Sequence, residues 1–179
     1  ENKADEPNVS IQKIDWTDYL INARTVKISY LSREAALKLV TKPIPEFDLV
    51  YESDDLPDKL VIQTGGQPYL LQYAMYELTE FLNTEERKTA SSDDLETAIK
   101  KMLEGAAQYF MHIWEKTLDE TSQSIILHLA ETGKLPATER KYIKRLLHKE
   151  FIRETTEGEY EFCVPVFRTW VLDNFSNIR

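Results

Sequence analysis

The sequence predicts a mainly α-helical fold built in two halves. Three observations carry this. Apolar residues recur at helical spacing through the first two thirds of the chain; Leu70, Leu71, Ala74, Met75, Leu78, Phe81 and Leu82 form the clearest stripe. Capping residues precede the helical stripes and Gly or Pro follows them, as helix starts and stops require. Residues 151–164 then break the rhythm with two short β-prone runs around a Gly-containing turn.

The elements follow in order. Residues 1–15 are polar and irregular, and Trp16 to Arg24 read as an aromatic-anchored turn or short helix. Thr25 to Tyr30 alternates β-branched and polar residues, as a strand does. A lone strand is unstable and no partner is legible, so it is expected to belong to an α/β core lying before it. Ser32 caps a helix to about Thr41, which Pro43 and Pro45 stop. Residues 43–55 form an acidic loop, and Asp54 or Asp55 starts a helix from Pro57 to Thr64.

Gly65-Gly66-Gln67-Pro68 is the stretch around which the chain is organised. The glycines allow positive φ and close backbone approach, and Pro68 suits a first helical position. The helix it launches runs to about Asn83. The corner reads either as a plain junction between helices or as an anion site at a helix N-terminus. A charged connection, 84–90, leads to a helix capped by Ser91 or Ser92 and ending near Gly105.

The second half starts with an aromatic helix carrying Tyr109, Phe110, Ile113, Trp114 and Leu118. A helix from Asp119 or Thr121 stops at Gly133, and Thr138 caps another with Tyr142, Ile143, Leu146 and Leu147 inward. A hairpin over 151–164 and a final helix with Val166, Phe167, Trp170, Val171 and Phe175 follow. Helix, helix, hairpin, helix within about sixty residues has the look of a winged helix.

Composition sets the outer bounds. Apolar residues at 42% and charged residues at 30% fit a globular protein rather than a disordered one. No apolar run is long enough to span a membrane. The chain opens on Glu1 with no Met and no apolar leader, as expected of an excerpt or a processed product. The single Cys163 cannot form an internal disulfide, which suits a reducing cytoplasm, and its apolar setting reads as buried filler. The net charge of −9 is uneven: residues 134–153 hold seven basic and two acidic side chains, while residues 1–120 hold 13 and 23. The acidic bulk argues against general nucleic-acid affinity, and the basic stretch needs its own explanation.

Two runs, Val26-Lys27-Ile28-Ser29-Tyr30-Leu31-Ser32-Arg33-Glu34-Ala35-Ala36 and Thr64-Gly65-Gly66-Gln67-Pro68-Tyr69-Leu70-Leu71-Gln72, resemble the lid region of AAA+-type ATPases of the STAND group. This region is shared with archaeal and bacterial origin-recognition-like ATPases. With the winged-helix pattern the resemblance covers most of the chain. It implies the end of a nucleotide-binding core at 1–30, a helical lid at 31–105 and a winged helix at 106–179. It implies that Gly66, Gln67 and Pro68 are nucleotide-binding residues. It also implies a partner P-loop domain, with ATP or ADP and magnesium held by the full-length protein and none by this chain alone. A protein effector would receive the signal.

There are departures from the pattern. Tyr69 stands where origin-recognition ATPases place an arginine, so hydrolysis is expected to be slow. Val164-Pro165-Val166-Phe167 lacks the histidine that many STAND proteins use to hold ADP; Arg168 is a candidate substitute, with surface placement as its plain reading. The chain has no G-x-x-x-x-G-K-[ST], so by itself it is not expected to be an enzyme, and no catalytic set stands out. His112, His128 and His148 are too scattered for a metal site.

The rival reading is double-stranded DNA binding through helix 138–149, with Arg140, Lys141, Lys144, Arg145 and Lys149 as contacts and His148 and Arg153 nearby. The same stripe also reads as a solvated face or as one docked onto the acidic lid. A third reading is a protein-interaction module without a ligand.

Overall fold

A computed structural model describes residues 29–138 and 140–176. The segments read above as residues 1–15 and Trp16–Arg24, and most of the Thr25–Tyr30 strand, lie outside the described residues. The described chain is mainly helical, as expected.

The first half runs α1 (Arg33–Thr41), β1 (Val50–Tyr51), α2 (Leu56–Thr64), α3 (Pro68–Thr84), β2 (Thr89–Ala90) and α4 (Ser92–Gly105). Ser32 caps α1 by accepting the Ala35 N–H. The Ser91 hydroxyl accepts the Asp94 N–H at 3.3 Å, and the Asp94 carboxylate accepts the Ser91 N–H at 2.9 Å. That is a capping box at α4. Asp55 precedes α2 but does not cap it, contrary to expectation. Its backbone is already helical, so its carboxylate turns instead to Lys59 and Ser53.

β1 and β2 pair in parallel, Val50 with Thr89 and Tyr51 with Ala90. The pair joins the acidic loop to the charged connection, both of which read as irregular. Two residues are too few to show an alternating period, and the pairing is between distant segments. Tyr51 anchors it by donating its hydroxyl to the Val40 carbonyl at 2.8 Å.

The second half runs α5 (Ala107–His112), a π-helical turn (Ile113–Thr117), α6 (Glu120–Thr132), α7 (Arg140–His148), β3 (Ile152–Glu154), β4 (Tyr160–Phe162) and α8 (Pro165–Phe175). The expected order of helix, helix, hairpin and helix is present. The expected single aromatic helix is instead α5 widened into the π turn, closed by the Leu118 N–H to the Ile113 carbonyl. Gln123 of α6 donates to the Trp114 carbonyl at 2.8 Å within this turn. Asp119 caps α6 by accepting the Ser122 N–H, and Gly133 closes it with φ 72°.

One apolar cluster runs from Ala36 to Val171. α3 packs on α4, and α8 packs against α2, α5 and α6. Aromatic rings tie the C-terminal elements: Phe110 stacks on Phe167 at 5.6 Å and Trp114 on Phe175 at 4.3 Å.

Asp94 gives a test of the first half. It accepts two bonds from Arg87, at 2.9 and 2.8 Å, besides the Ser91 N–H. The Arg87 guanidinium, followed by the Ser91 bonds, holds its carboxyl well below the usual range despite burial. A depressed folded pKa gives stability that is complete above the unfolded value of about 3.9 and is lost as pH falls below it. Asp94→Asn should therefore cost about 1–3 kcal/mol at neutral pH. It should also flatten the acid limb of stability, read by urea unfolding across a pH series.

Candidate functional site

The corner is built by backbone geometry. α2 ends as Gly65 takes φ 61°, and Gly66 continues left-handed at φ 70°. Their N–H groups return to the carbonyls of Ile62 and Val61, both at 3.1 Å. Gln67 is extended and caps α3, its side-chain oxygen accepting the Leu70 N–H at 2.7 Å. Pro68 occupies the first helical position.

Three other parts of the chain close on this corner. The Gly66 carbonyl accepts the Leu31 N–H at 2.9 Å. The Gln67 amide donates to the Tyr109 hydroxyl of α5 at 3.0 Å. A Cβ on Gly65 would lie 2.0 Å from the Cys163 carbonyl oxygen, just past β4. A Cβ on Gly66 would lie 2.8 Å from the Leu31 oxygen. Both glycines are thus required twice, for φ and for space.

The preceding segment reaches α7 as well. The Ser29 hydroxyl donates to the Glu150 carboxylate at 2.9 Å. Glu150 ends α7 in the left-handed region at φ 58°. Burial pushes the Tyr30 hydroxyl up to about 12, helped by Tyr109, Cys163 and Glu150 nearby. A cavity of about 20 Å³ lies between Tyr30, Gln67, Tyr109 and Glu150. That is room for one water molecule.

Gly66, Gln67 and Pro68 are contiguous, but they do not present equally. Gly66 is buried with its N–H and carbonyl both engaged. Gln67 spends its amide on Leu70 and Tyr109. Among the described residues, the Tyr69 N–H remains as the donor of the first turn of α3. Beside it lie the half-buried Pro68 ring and the Tyr69 ring, which is 43% exposed. Tyr69 meets the Tyr109 ring at 5.0 Å and the Tyr73 ring at 6.0 Å. The outer face of the corner is therefore aromatic and apolar, with one amide donor. Sequence reading missed Tyr30, Tyr109 and Glu150. Glu150 in particular carries no signal, since the left-handed helix end usually marked by Gly is here an acid.

The basic candidates divide. Arg145 pairs with Asp119, and Lys149 donates to the Thr117 carbonyl at 3.0 Å, closing the end of the π turn. Lys141 stands 4.9 Å over the Tyr142 ring. Arg140, Lys141, Lys144, Arg145 and Lys149, with His148, are all exposed. Arg153 pairs across the hairpin with Glu161. Arg168 donates to the Ala130 carbonyl at 2.9 Å, so its guanidinium is tied to the end of α6. Cys163 is half-buried rather than buried, with its backbone carrying the contact to Gly65.

Among the described residues, no group of three or more His, Cys, Asp or Glu could hold a metal, and no helix is long and apolar enough to cross a membrane. A larger cleft of about 540 Å³ lies between α2, α4 and α8, lined by Lys59, Gln63, Ile99, Lys100 and Asp173. No sequence motif marks it.

No protein-family model matches the chain, and no curated protein matches it. Among solved structures, a variant of RuvB from Thermotoga maritima is similar at 14% identity and a TM-score of 0.38. The match covers 75% of this chain and 47% of that one, so this chain spans about half the length of the structure it matches. At that level of likeness, function has to be read from this chain's own residues.

The glycines allow a paired test. Gly65→Ala meets both a left-handed φ and the Cys163 carbonyl, whereas Gly133→Ala, at φ 72°, meets nothing within 4 Å. Gly133→Ala should cost about 1–2 kcal/mol, the left-handed penalty alone. Gly65→Ala should cost more than about 3 kcal/mol, because the backbones must also separate. Denaturant midpoints of the two variants check the difference.

Proposed function

We propose that this chain is the helical lid and winged-helix part of an AAA+-type switch ATPase of the STAND kind. Its 31–105 half would be the lid and its 106–179 half the winged helix. The observation that supports the reading is the three-way closure of the Gly65–Pro68 corner on Leu31, Tyr109 and Cys163. A ligand seated at the corner would touch a place where the entering segment, the lid and the hairpin half meet. Its binding energy could then be transmitted to all three.

The residues present suit one part of a nucleotide. Pro68 and Tyr69 offer apolar and aromatic surface, with the Tyr69 N–H as a single donor. They form one wall rather than a phosphate cradle, and Gly66 shapes the turn instead of reaching the ligand. ATP or ADP would bring its phosphates and magnesium to a P-loop domain, which has to supply the remaining donors and the metal ligands. α3 contains no Arg or Lys, which favours a switch that holds nucleotide over one that turns it over quickly. The output would pass through the hairpin half to a protein effector.

The alternative of duplex DNA binding would have to compete with two surface contacts, Arg145 to Asp119 and Lys149 to the Thr117 carbonyl. Arg140 and Lys144 are exposed beside them and could reach phosphates. Anisotropy against duplex DNA over a salt series measures this directly.

The test of the main reading uses the full-length protein and a fluorescent ADP analogue. Pro68→Ala combined with Tyr69→Ala should weaken binding by about tenfold, equivalent to 1.4 kcal/mol, in a variant that circular dichroism shows to be folded at the assay temperature. Unchanged affinity in a folded variant removes the assignment of the corner to nucleotide.

A further inference from the structure

Two exposed helix faces of opposite character are present. On α3, Tyr69, Tyr73, Tyr76 and Glu80 stand at i, i+4, i+7 and i+11, along one face. Tyr76 is 59% exposed, and Glu80 is exposed. The inner face of α3 buries Leu70, Leu71, Ala74, Leu78 and Leu82, so the tyrosine face is the side turned from the core. α3 contains two Glu and no Lys or Arg. A groove of about 380 Å³ runs beside it at Tyr69, Tyr73 and Gly105. The Tyr73 hydroxyl lies where a Cβ on residue 105 would be, 1.7 Å away, which keeps the groove floor flush.

α7 is the complement. It contains four Lys and Arg and no Asp or Glu, and Leu146 is its buried anchor. Arg140, Lys144 and Arg145 are exposed, Arg145 in a surface ion pair with Asp119. We propose that the basic face of α7 in one copy docks on the tyrosine and glutamate face of α3 in a second copy. Ammonium and guanidinium groups over exposed tyrosine rings gain cation–π attraction, and Glu80 adds a salt bridge. Lys141 over Tyr142 is the same contact inside one chain. Each copy offers both faces, so the association is head to tail and opens into a chain or closes into a ring. A contact of two single helices falls short of the roughly 1,200–2,000 Å² of a stable interface, so the association is weak and reversible. The net charge of −9 repels copies at long range, and moderate salt screens that repulsion before it weakens the contact. This inference does not rest on the nucleotide reading, although Tyr69 belongs to both surfaces; its test therefore uses Tyr76, Glu80 and Lys144, which the nucleotide reading does not use.

Sedimentation velocity on the 179-residue chain tests it. The sedimentation coefficient should rise with concentration at about 0.1 M salt and fall back to the monomer value near about 1 M. Lys144→Glu and Glu80→Lys should each weaken self-association by about tenfold. An equal mixture of the two variants should restore pairing as far as a dimer, because one then brings an intact α7 and the other an intact α3. Tyr76→Ala leaves every charge in place and should weaken it as well. These positions are exposed, so circular dichroism should show the fold unchanged. A chain that stays monomeric at all concentrations overturns the proposal. So does association that ignores these substitutions, or an α7 face that takes up duplex DNA while the chain remains monomeric.

Discussion

The structure depends on two consecutive left-handed residues pressed against backbone from two directions. Gly65 abuts the Cys163 carbonyl, and Gly66 gives its own carbonyl to Leu31. No side chain fits at either place, so the corner can only be glycine while those approaches hold. Everything around it follows from that contact. α2 must stop, α3 must restart from Pro68, and the backbone beyond β4 must pass close enough to bring α8 onto α2. The Gln67 side chain then fixes the direction of α3 against α5 through Tyr109.

Much of the helical fold was legible because helices announce themselves locally. Ser32, Ser91 and Asp119 cap as their types suggest, and Gly65 and Gly133 close helices in the left-handed region. The hairpin was legible from the turn residues around Gly158, which takes φ 80°. What stayed hidden was settled by distant partners. The β1–β2 pair is too short to carry a period, and the π turn depends on Gln123 reaching the Trp114 carbonyl from the next helix. Asp55 looked like a cap but found Lys59 and Ser53 closer to hand. At the site, Gly66, Gln67 and Pro68 were visible as a motif. Their inward engagement was not, because it depends on Leu31, Tyr109 and Cys163, which are far away in sequence.

The same inward engagement shapes the functional reading. A corner whose polar groups are already satisfied makes a poor phosphate cradle but a good joint. Tyr69 stands at the outside of the joint, and Tyr30 and Glu150 at the inside. A ligand on the outer face and a rearrangement of the entering segment would therefore act on one set of contacts. The basic face of α7 lies on another element. Arg145 and Lys149 brace α7 against Asp119 and Thr117, and Arg140 and Lys144 are exposed on the same helix.

The central claim is that the corner makes the entering segment, α3 and the hairpin half open together. Native-state hydrogen exchange measures this most directly. The Leu31 amide, bonded to Gly66, and the Cys163 amide, bonded to Phe151, report the two segments that meet the corner; the Leu71 amide reports α3. The account predicts that all three exchange with the same opening free energy and the same denaturant dependence. Leu31 or Cys163 exchanging at a markedly lower free energy than Leu71 would show that those segments detach on their own, and would contradict it.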